Sequence, residues 1–259
     1  MKQRFFLGLI SLTAFLSSWE LAANAGEMAP TTQQTWTLRA LISELEENHF
    51  ADKRYNDAMS ASHLETYLER LDPSRVYFTQ SDIAGFMRYE DRLDDLGRQG
   101  ELSPLYEIFN LYAKLATERL DTIIGDMDPM VSGFDFEREE FIEADPRDRA
   151  WAASRDELDE RWRKRIKNQV LGLRLAEKED AEIAPTLVKR YENQKMRLEQ
   201  YNEQDVFAVY ANALTSQFDP HTSYFSPRRA ENFDIDMRLS LEGIGAVLQN
   251  EDEFVKVAR

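Results

Sequence analysis

Apolar residues recur along most of the chain at the spacing of one face of an α-helix. Within 31–50, Leu38, Leu41, Ile42 and Leu45 follow the i, i+3, i+4, i+7 pattern, which indicates a helix with one buried face. Similar stripes predict further helices over 56–71, 80–96, 103–123, 158–173, 187–201 and 204–217. The pattern therefore predicts a mainly α fold.

Glycine, serine and proline mark several of the predicted helix boundaries. Gly97 and Gly100 are expected to end the helix over 80–96, because glycine is common just past helix ends. Ser103 is the predicted N-cap of the following helix, with Pro104 at its first position. The acid-rich stretch 125–146 is expected to be irregular.

The hydrophobic pattern changes near the end of the sequence. Residues 243–249 and 253–258 have the composition of short strands and flank a polar triplet, which predicts a β-hairpin. Because a lone hairpin leaves open strand edges, we expect the sequence to stop inside a β-rich domain. A hairpin packed on the helices is the alternative. The predicted organisation is a helical domain over 26–235, followed by the opening of a β domain over 236–259.

The first 25 residues have the features of a cleavable signal peptide. Lys2 and Arg4 precede an apolar run of 12 residues over 5–16, and Ala23-Asn24-Ala25 follows. The apolar run is shorter than the roughly 20 residues that a transmembrane helix needs, and the small-x-small triplet predicts cleavage before Gly26. We therefore expect export and no integral membrane segment after cleavage. A buried first helix is the alternative.

Composition excludes several classes of function. The formal charge is −16, which disfavours general binding to nucleic acid. The chain has no cysteine, which excludes thiolate metal sites and a cysteine nucleophile. It has three histidines and contains no HExxH, GxGxxG or GxxxxGK[ST] motif. We therefore predict neither a metal nor a cofactor.

One motif occurs twice. Residues 71–79 and 218–226 share the form D-P-x-x-x-Y-F-[ST]; we call residues 72–79 and 219–226 the first and second Asp-Pro turns. Each Asp-Pro is predicted to end a helix and each Tyr-Phe pair to be buried. The final Thr79 or Ser226 is then predicted to cap the next helix.

The second Asp-Pro turn contains the three residue types of a hydrolase triad, Asp219, His221 and Ser223. A triad requires the histidine to bridge the other two side chains. In an extended segment the side chains at i and i+2 are roughly 7 Å apart, so we predict no catalytic role for this trio. His49 and His63 are predicted on separate helices without the spacing of metal ligands.

The predicted helix over 158–173 begins with acids and continues with bases between Arg161 and Lys167. This order suits the helix dipole and ion pairs four residues apart. We therefore predict a solvated, ion-paired face, and a partner site is the alternative.

Gly243-Ile244-Gly245-Ala246 matches the loop that enters a strand in PDZ domains. Such a loop directs backbone N–H groups at a terminal carboxylate, and the next strand edge pairs with the peptide. Glycine allows the close approach. An ordinary glycine-rich strand entrance is the alternative interpretation of these four residues.

The segment 218–249 resembles tail-specific proteases, the larger bacterial branch of the carboxyl-terminal processing peptidases. The block comprises Phe218 to Arg228, Glu231-Asn232-Phe233, Met237 and Ser240 to Gln249. The upstream motifs 71–78, 190–191 and 203–207 are similar and occur in the same order. The resemblance extends over nearly all of 35–259 and is weak over 126–154.

The resemblance implies a helical N-terminal domain, then a PDZ domain, then a core with a serine–lysine dyad. It also implies a periplasmic enzyme that selects polypeptides by apolar C-termini, with an adaptor protein as a further possible partner. The nucleophile and base of the family would lie beyond Arg259, so no catalytic residue is assigned to this chain. Ser223, Ser226 and Ser240 are not candidates.

The leading hypothesis is thus the N-terminal part of a periplasmic serine endopeptidase. The alternatives are an exported helical protein that binds partners without cleaving them, and a subunit of a larger assembly. The coding sequence after Arg259 would distinguish them.

Overall fold

A computed structural model describes residues 27–143, 145, 149–238, 248–251 and 254–257. The predicted signal peptide over 1–25 lies outside the described residues. The elements are α1 (Thr32–Glu47), α2 (Asp57–Leu71), α3 (Gln80–Phe86), a 3-10 turn (Met87–Tyr89), α4 (Leu93–Gln99), α5 (Ser103–Gly125), α6 (Met127–Gly133), α7 (Arg155–Leu175), α8 (Asp180–Glu199), α9 (Glu203–Phe218), α10 (Pro227–Arg238), β1 (Leu248–Glu251) and β2 (Phe254–Val257). The predicted mainly α fold is confirmed.

Side-chain caps start several of these helices. Thr31 and Gln34 form a reciprocal capping box at α1, and Asn202 and Asp205 form another at α9. Asn56 accepts a hydrogen bond from the backbone N–H of Met59 at the start of α2. These caps satisfy N–H groups that have no partner within the helix.

A first hydrophobic core lies between α1, α2, α4, the first half of α5, and α9. Leu38 of α1, Leu64 of α2, Leu105 of α5 and Leu214 of α9 are each at most 1% exposed within it. The helical stripe predicted over 31–50 therefore faces this core.

The second core lies between the remainder of α5 and helices α6, α7 and α8. Ile166 of α7 and Leu187 of α8 are fully buried there. Tyr112, in the middle of α5, packs against both cores, so a single helix connects them.

The prediction of one continuous helix over 80–96 is wrong. The structure instead has α3, a 3-10 turn and α4. Gly97 lies inside α4, and a Cβ there would come within 2.7 Å of the Ile42 Cδ1 atom. Only Gly100 ends the helix, with a φ of 74° that glycine adopts readily. Gly97 therefore permits close packing rather than termination.

The predictions around 103 and 125–146 also need correction. Ser103 is the first residue of α5 and not its N-cap, and its backbone N–H and hydroxyl both donate to Glu101. The stretch 125–146 contains α6. The ion-paired face predicted for α7 is confirmed, since Arg161 binds Glu157 at 2.6 Å and Arg163 binds Glu160 at 2.7 Å.

At the C-terminal end, β1 and β2 pair as antiparallel strands, with Leu248 opposite Val257 and Glu251 opposite Phe254. The first strand thus includes residues 250 and 251, which were predicted as part of the turn. Among the described residues, no helix has the length and apolar character needed to cross a membrane.

Candidate functional site

The first Asp-Pro turn is a buried structural corner. The Asp72 carboxylate is 0% exposed and accepts hydrogen bonds from the backbone N–H groups of Val76, Tyr77 and Phe78 at 2.8–3.1 Å. Burial raises the pKa of Asp72, and these hydrogen bonds act in the opposite direction. Trp162 donates to the Val76 carbonyl at 2.9 Å. The turn is therefore fixed against the second core.

Its last residue starts the next helix as the sequence predicts. Thr79 accepts from the Asp82 N–H, and Asp82 accepts from the Thr79 N–H at 2.7 Å. This confirms the predicted cap at Thr79, and Asp82 completes a reciprocal capping box.

The second Asp-Pro turn lies at the surface, at the end of α9. Lys53 donates to the carbonyls of Gln217 and Phe218, at 3.0 and 2.8 Å. A cation suits this helix end because the last carbonyls have no partner within the helix. The neighbouring α10 begins at Pro227, directly after Ser226.

Two of the three triad-type residues of this turn contact each other, through the Asp219 side chain and the His221 backbone. Asp219 Oδ1 accepts from the backbone N–H of His221 at 2.8 Å, and the side chains of His221 and Ser223 are exposed. This Asx arrangement fixes the turn. The structure thus gives Asp219 a conformational role in the turn.

His49 is the histidine that contacts this turn. It was predicted on a helix, but it lies just after the end of α1. Its Nδ1 accepts from the Ala51 N–H at 3.2 Å. Its Nε2 lies 2.9 Å from the Thr222 hydroxyl. This contact joins the end of α1 to the second Asp-Pro turn.

Asn212 of α9 holds the Tyr-Phe part of the same turn. Its Oδ1 accepts from the Tyr224 N–H at 2.9 Å, and its Nδ2 donates to the Tyr224 carbonyl at 3.1 Å. Tyr224 and Phe225 are only partly buried. The predicted burial is therefore wrong for the second turn, where Tyr224 packs on the outside of the first core against Phe207 of α9.

His63 lies inside the first core. The Tyr55 hydroxyl donates to Nδ1 at 2.7 Å, and Nε2 donates to the Tyr210 carbonyl at 3.1 Å. Burial lowers the pKa of His63 to about 3, so the ring is neutral at pH 7. Within the part of the chain that the structure describes, no group of three or more acidic or histidine side chains is arranged to hold a metal.

A polar cleft of about 460 Å³ lies beside the second Asp-Pro turn. Arg70 of α2, Ser216 of α9, Ser223 of the turn and Arg229 of α10 all line it. The two arginines are not among the site residues predicted from the sequence. The available signal was the basic pair at 228–229, directly after Pro227 in an acid-rich chain.

The predicted carboxylate loop, Gly243, Ile244, Gly245 and Ala246, lies outside the described residues. It stays a prediction. The nearest described part is β1, which begins at Leu248 and pairs with β2.

The two joined helical cores and the surface Asp-Pro turn define a helical domain of the kind that the sequence resemblance implies. The family model described as the tail specific protease N-terminal domain matches residues 41–228. The Tail-specific protease of Haemophilus influenzae is 34% identical over 227 residues, which cover 86% of this chain and 32% of that protein. The chain belongs to the tail-specific protease family. It spans about a third of the length of this curated relative.

Proposed function

We propose that the chain is the N-terminal helical part of an exported serine endopeptidase that recognises proteins by their apolar C-termini and degrades or processes them. The observation that carries this proposal is the family match over residues 41–228. The relative with 34% identity is named Tail-specific protease. The chain covers 32% of that relative, so the catalytic serine and lysine of the family belong, in this proposal, to a core outside these 259 residues.

The proposed role of the helical domain is to support the substrate-binding region that follows it. Two packed cores connected by α5 form the body of this domain. The second Asp-Pro turn is fixed to that body through Lys53, His49 and Asn212. These contacts set the direction in which the chain leaves α9 and enters α10.

Residues 236–259 are proposed to begin a PDZ domain, with Gly243, Ile244, Gly245 and Ala246 as its carboxylate loop. In such a loop the backbone N–H groups bind the terminal carboxylate of a substrate. The substrate then adds as a strand to the neighbouring sheet edge. The antiparallel pairing of β1 with β2 is compatible with this arrangement.

Export to the periplasm is proposed from Lys2, Arg4, the apolar run over 5–16 and the triplet before Gly26. N-terminal sequencing of the protein recovered from the periplasm should begin at Gly26. Recovery of an intact Met1 on cytoplasmic protein would contradict export.

Cleavage of paired substrates by the full-length protein tests the activity and the carboxylate loop together. One unfolded substrate ends in apolar residues and the other in aspartates. We expect the substrate with the apolar C-terminus to be cleaved faster. Gly245→Val should slow cleavage of this substrate, and the slowing should be at least tenfold greater than for the substrate that ends in aspartates. The physical reason is that a side chain at residue 245 would block the substrate carboxylate from reaching the backbone N–H groups.

Gly85→Ala in α3 is the matched control, because a Cβ at Gly85 meets nothing within 4 Å. Equal slowing of both substrates by Gly245→Val would indicate misfolding and contradict the carboxylate loop. A full-length protein that binds these substrates without cleaving them would contradict the peptidase and favour an exported helical binding protein.

A further inference from the structure

The cleft beside the second Asp-Pro turn brings together two arginines that are distant in sequence. Arg70 reaches it from α2 and Arg229 from α10. Each is held by an uncharged group: Arg70 Nη2 donates to the Ser216 hydroxyl at 3.3 Å, and the Arg229 guanidinium lies 4.8 Å from the centre of the Phe225 ring. Phe225 in turn packs edge-on against Phe233 of α10. The two guanidinium groups are therefore positioned without an acid.

Several other arginines of the protein are, by contrast, paired with acids. Arg98 binds both Glu46 and Asp94, at 2.8 and 3.0 Å, and the chain carries 48 acidic against 32 basic residues. Among the described residues, no carboxylate pairs with Arg70 or Arg229. Partial burial also lowers the pKa of Arg70, because its charge is shielded from water without compensation.

The remaining lining of the cleft suits a segment of polypeptide. Ala208, Val209 and Pro220 provide an apolar wall, and Ser223 provides an exposed hydroxyl. A volume of about 460 Å³ accommodates a few residues of an extended chain. Guanidinium groups bind carboxylates through two parallel hydrogen bonds, which gives both strength and direction.

We propose that this cleft binds a carboxylate of a polypeptide, held between Arg70 and Arg229, with the neighbouring residues of that polypeptide against the apolar wall. The carboxylate comes from an acidic side chain or from a chain terminus. The choice of a polypeptide rests on the proposed function, in which polypeptides are the substrates.

The site has a structural consequence, because its two arginines belong to differently anchored elements. Arg70 is on α2, which packs in the first core, whereas α10 has no buried residue. A carboxylate bound by both arginines would link α10 to the helical body. Binding is therefore expected to hold α10 in one orientation.

Fluorescence anisotropy of labelled peptides with the full-length protein tests the proposal. The first peptide carries one glutamate and an amidated C-terminus, the second has a free C-terminus and no acidic side chain, and the third has neither. We expect the first, the second or both to bind, and the third to bind at least tenfold more weakly. The responding peptide identifies the source of the carboxylate.

Arginine variants show whether a bound peptide occupies this cleft. Arg70→Gln and Arg229→Gln should each weaken binding at least tenfold, because each removes a charged hydrogen-bonding partner. Arg70→Lys should weaken it less, since it keeps the charge and loses the fork. Arg39→Gln is the matched control and should bind as the original protein does. Arg39 is also exposed, stacks on the Trp36 ring at 5.3 Å and lies outside the cleft.

The proposal is overturned if no carboxylate peptide binds or if both glutamine variants bind normally while retaining the original thermal midpoint. It is also overturned if inorganic phosphate binds more tightly than every peptide, because the cleft would then be a site for small anions. The assay contains no cleavage step. A protein that binds the peptide through these arginines and cleaves nothing would therefore contradict only the proposed peptidase.

Discussion

Asn110 pairs through its side-chain amide with both backbone polar groups of Met28. The Met28 N–H donates to Oδ1 at 3.0 Å, and Nδ2 donates to the Met28 carbonyl at 2.9 Å. The Asn212 side chain forms the same pair of hydrogen bonds with the backbone of Tyr224. An asparagine side chain therefore helps to attach each of two segments, one before α1 and one after α9, to a helix.

Asn212→Ala should destabilise the protein by about 1–3 kcal/mol, because the Tyr224 backbone loses two partly buried hydrogen bonds. Urea unfolding measures the loss. Limited proteolysis should show faster cutting within 219–226. Asn110→Ala is the matched comparison, and it should speed proteolytic cutting within residues 27–30 instead. Unchanged proteolysis of the second Asp-Pro turn in Asn212→Ala would show that the other contacts of the turn suffice.

Phe78→Ala should cost about 3–5 kcal/mol of unfolding free energy, because Phe78 is 0% exposed within the first core. Phe225→Ala should cost less than about 2 kcal/mol, since Phe225 is partly exposed and packs mainly against Phe233. Chemical denaturation of the two variants gives the comparison. Equal losses would contradict the difference in burial between the two Asp-Pro turns.

His63 should make stability depend on pH. Its pKa is about 3 in the folded protein and about 6.5 when unfolded, so the unfolded state binds more protons between these values. Its contribution to stability is therefore complete above about pH 6.5 and is lost as the pH falls toward 3. Between pH 7 and 5 the loss should be roughly 2 kcal/mol.

His63→Gln removes this titrating group, so its unfolding free energy should fall less over the same interval. Urea titrations of both proteins at pH 7 and pH 5 measure the difference. The same fall in both proteins would mean that His63 is already charged, or is not buried, in the native state.

Gly100→Ala should destabilise the protein more than Gly85→Ala. At Gly100 the φ of 74° disfavours a side chain, and a Cβ would lie 2.6 Å from the Thr35 Cγ2 atom. At Gly85, inside α3, the space is open and alanine is the better helix former by about 1 kcal/mol. Thermal denaturation should therefore give midpoints that move in opposite directions.

The sequence predicts the long helices well because their apolar stripes are what the cores bury. The stripe over 31–50 and the helix over 204–217 correspond closely to α1 and α9. The break between α3 and α4 was not predictable from periodicity, because it depends on tertiary packing. Gly97 illustrates this, since its role is set by the Ile42 side chain of another helix.

The candidate site was less predictable for a similar reason. Local rules describe the second Asp-Pro turn as a copy of the first, yet Asp72 is buried and the equivalent Asp219 is only half-buried. That difference arises from which helices pack nearby. Arg70 and Arg229 meet only because α2 and α9 are neighbours in the first core.

The continuity of α5 through both cores restricts how the length of this chain can vary. Each residue of an α-helix advances the direction of its side chains by about 100°. One residue inserted near Tyr112 would rotate the stripe of Ala116, Leu120 and Ile123 away from the second core, while the first core stayed in register. The segment between α6 and α7 does not set the helical register between the two cores. Insertions and deletions should therefore accumulate in that segment, and they should be excluded from the middle of α5.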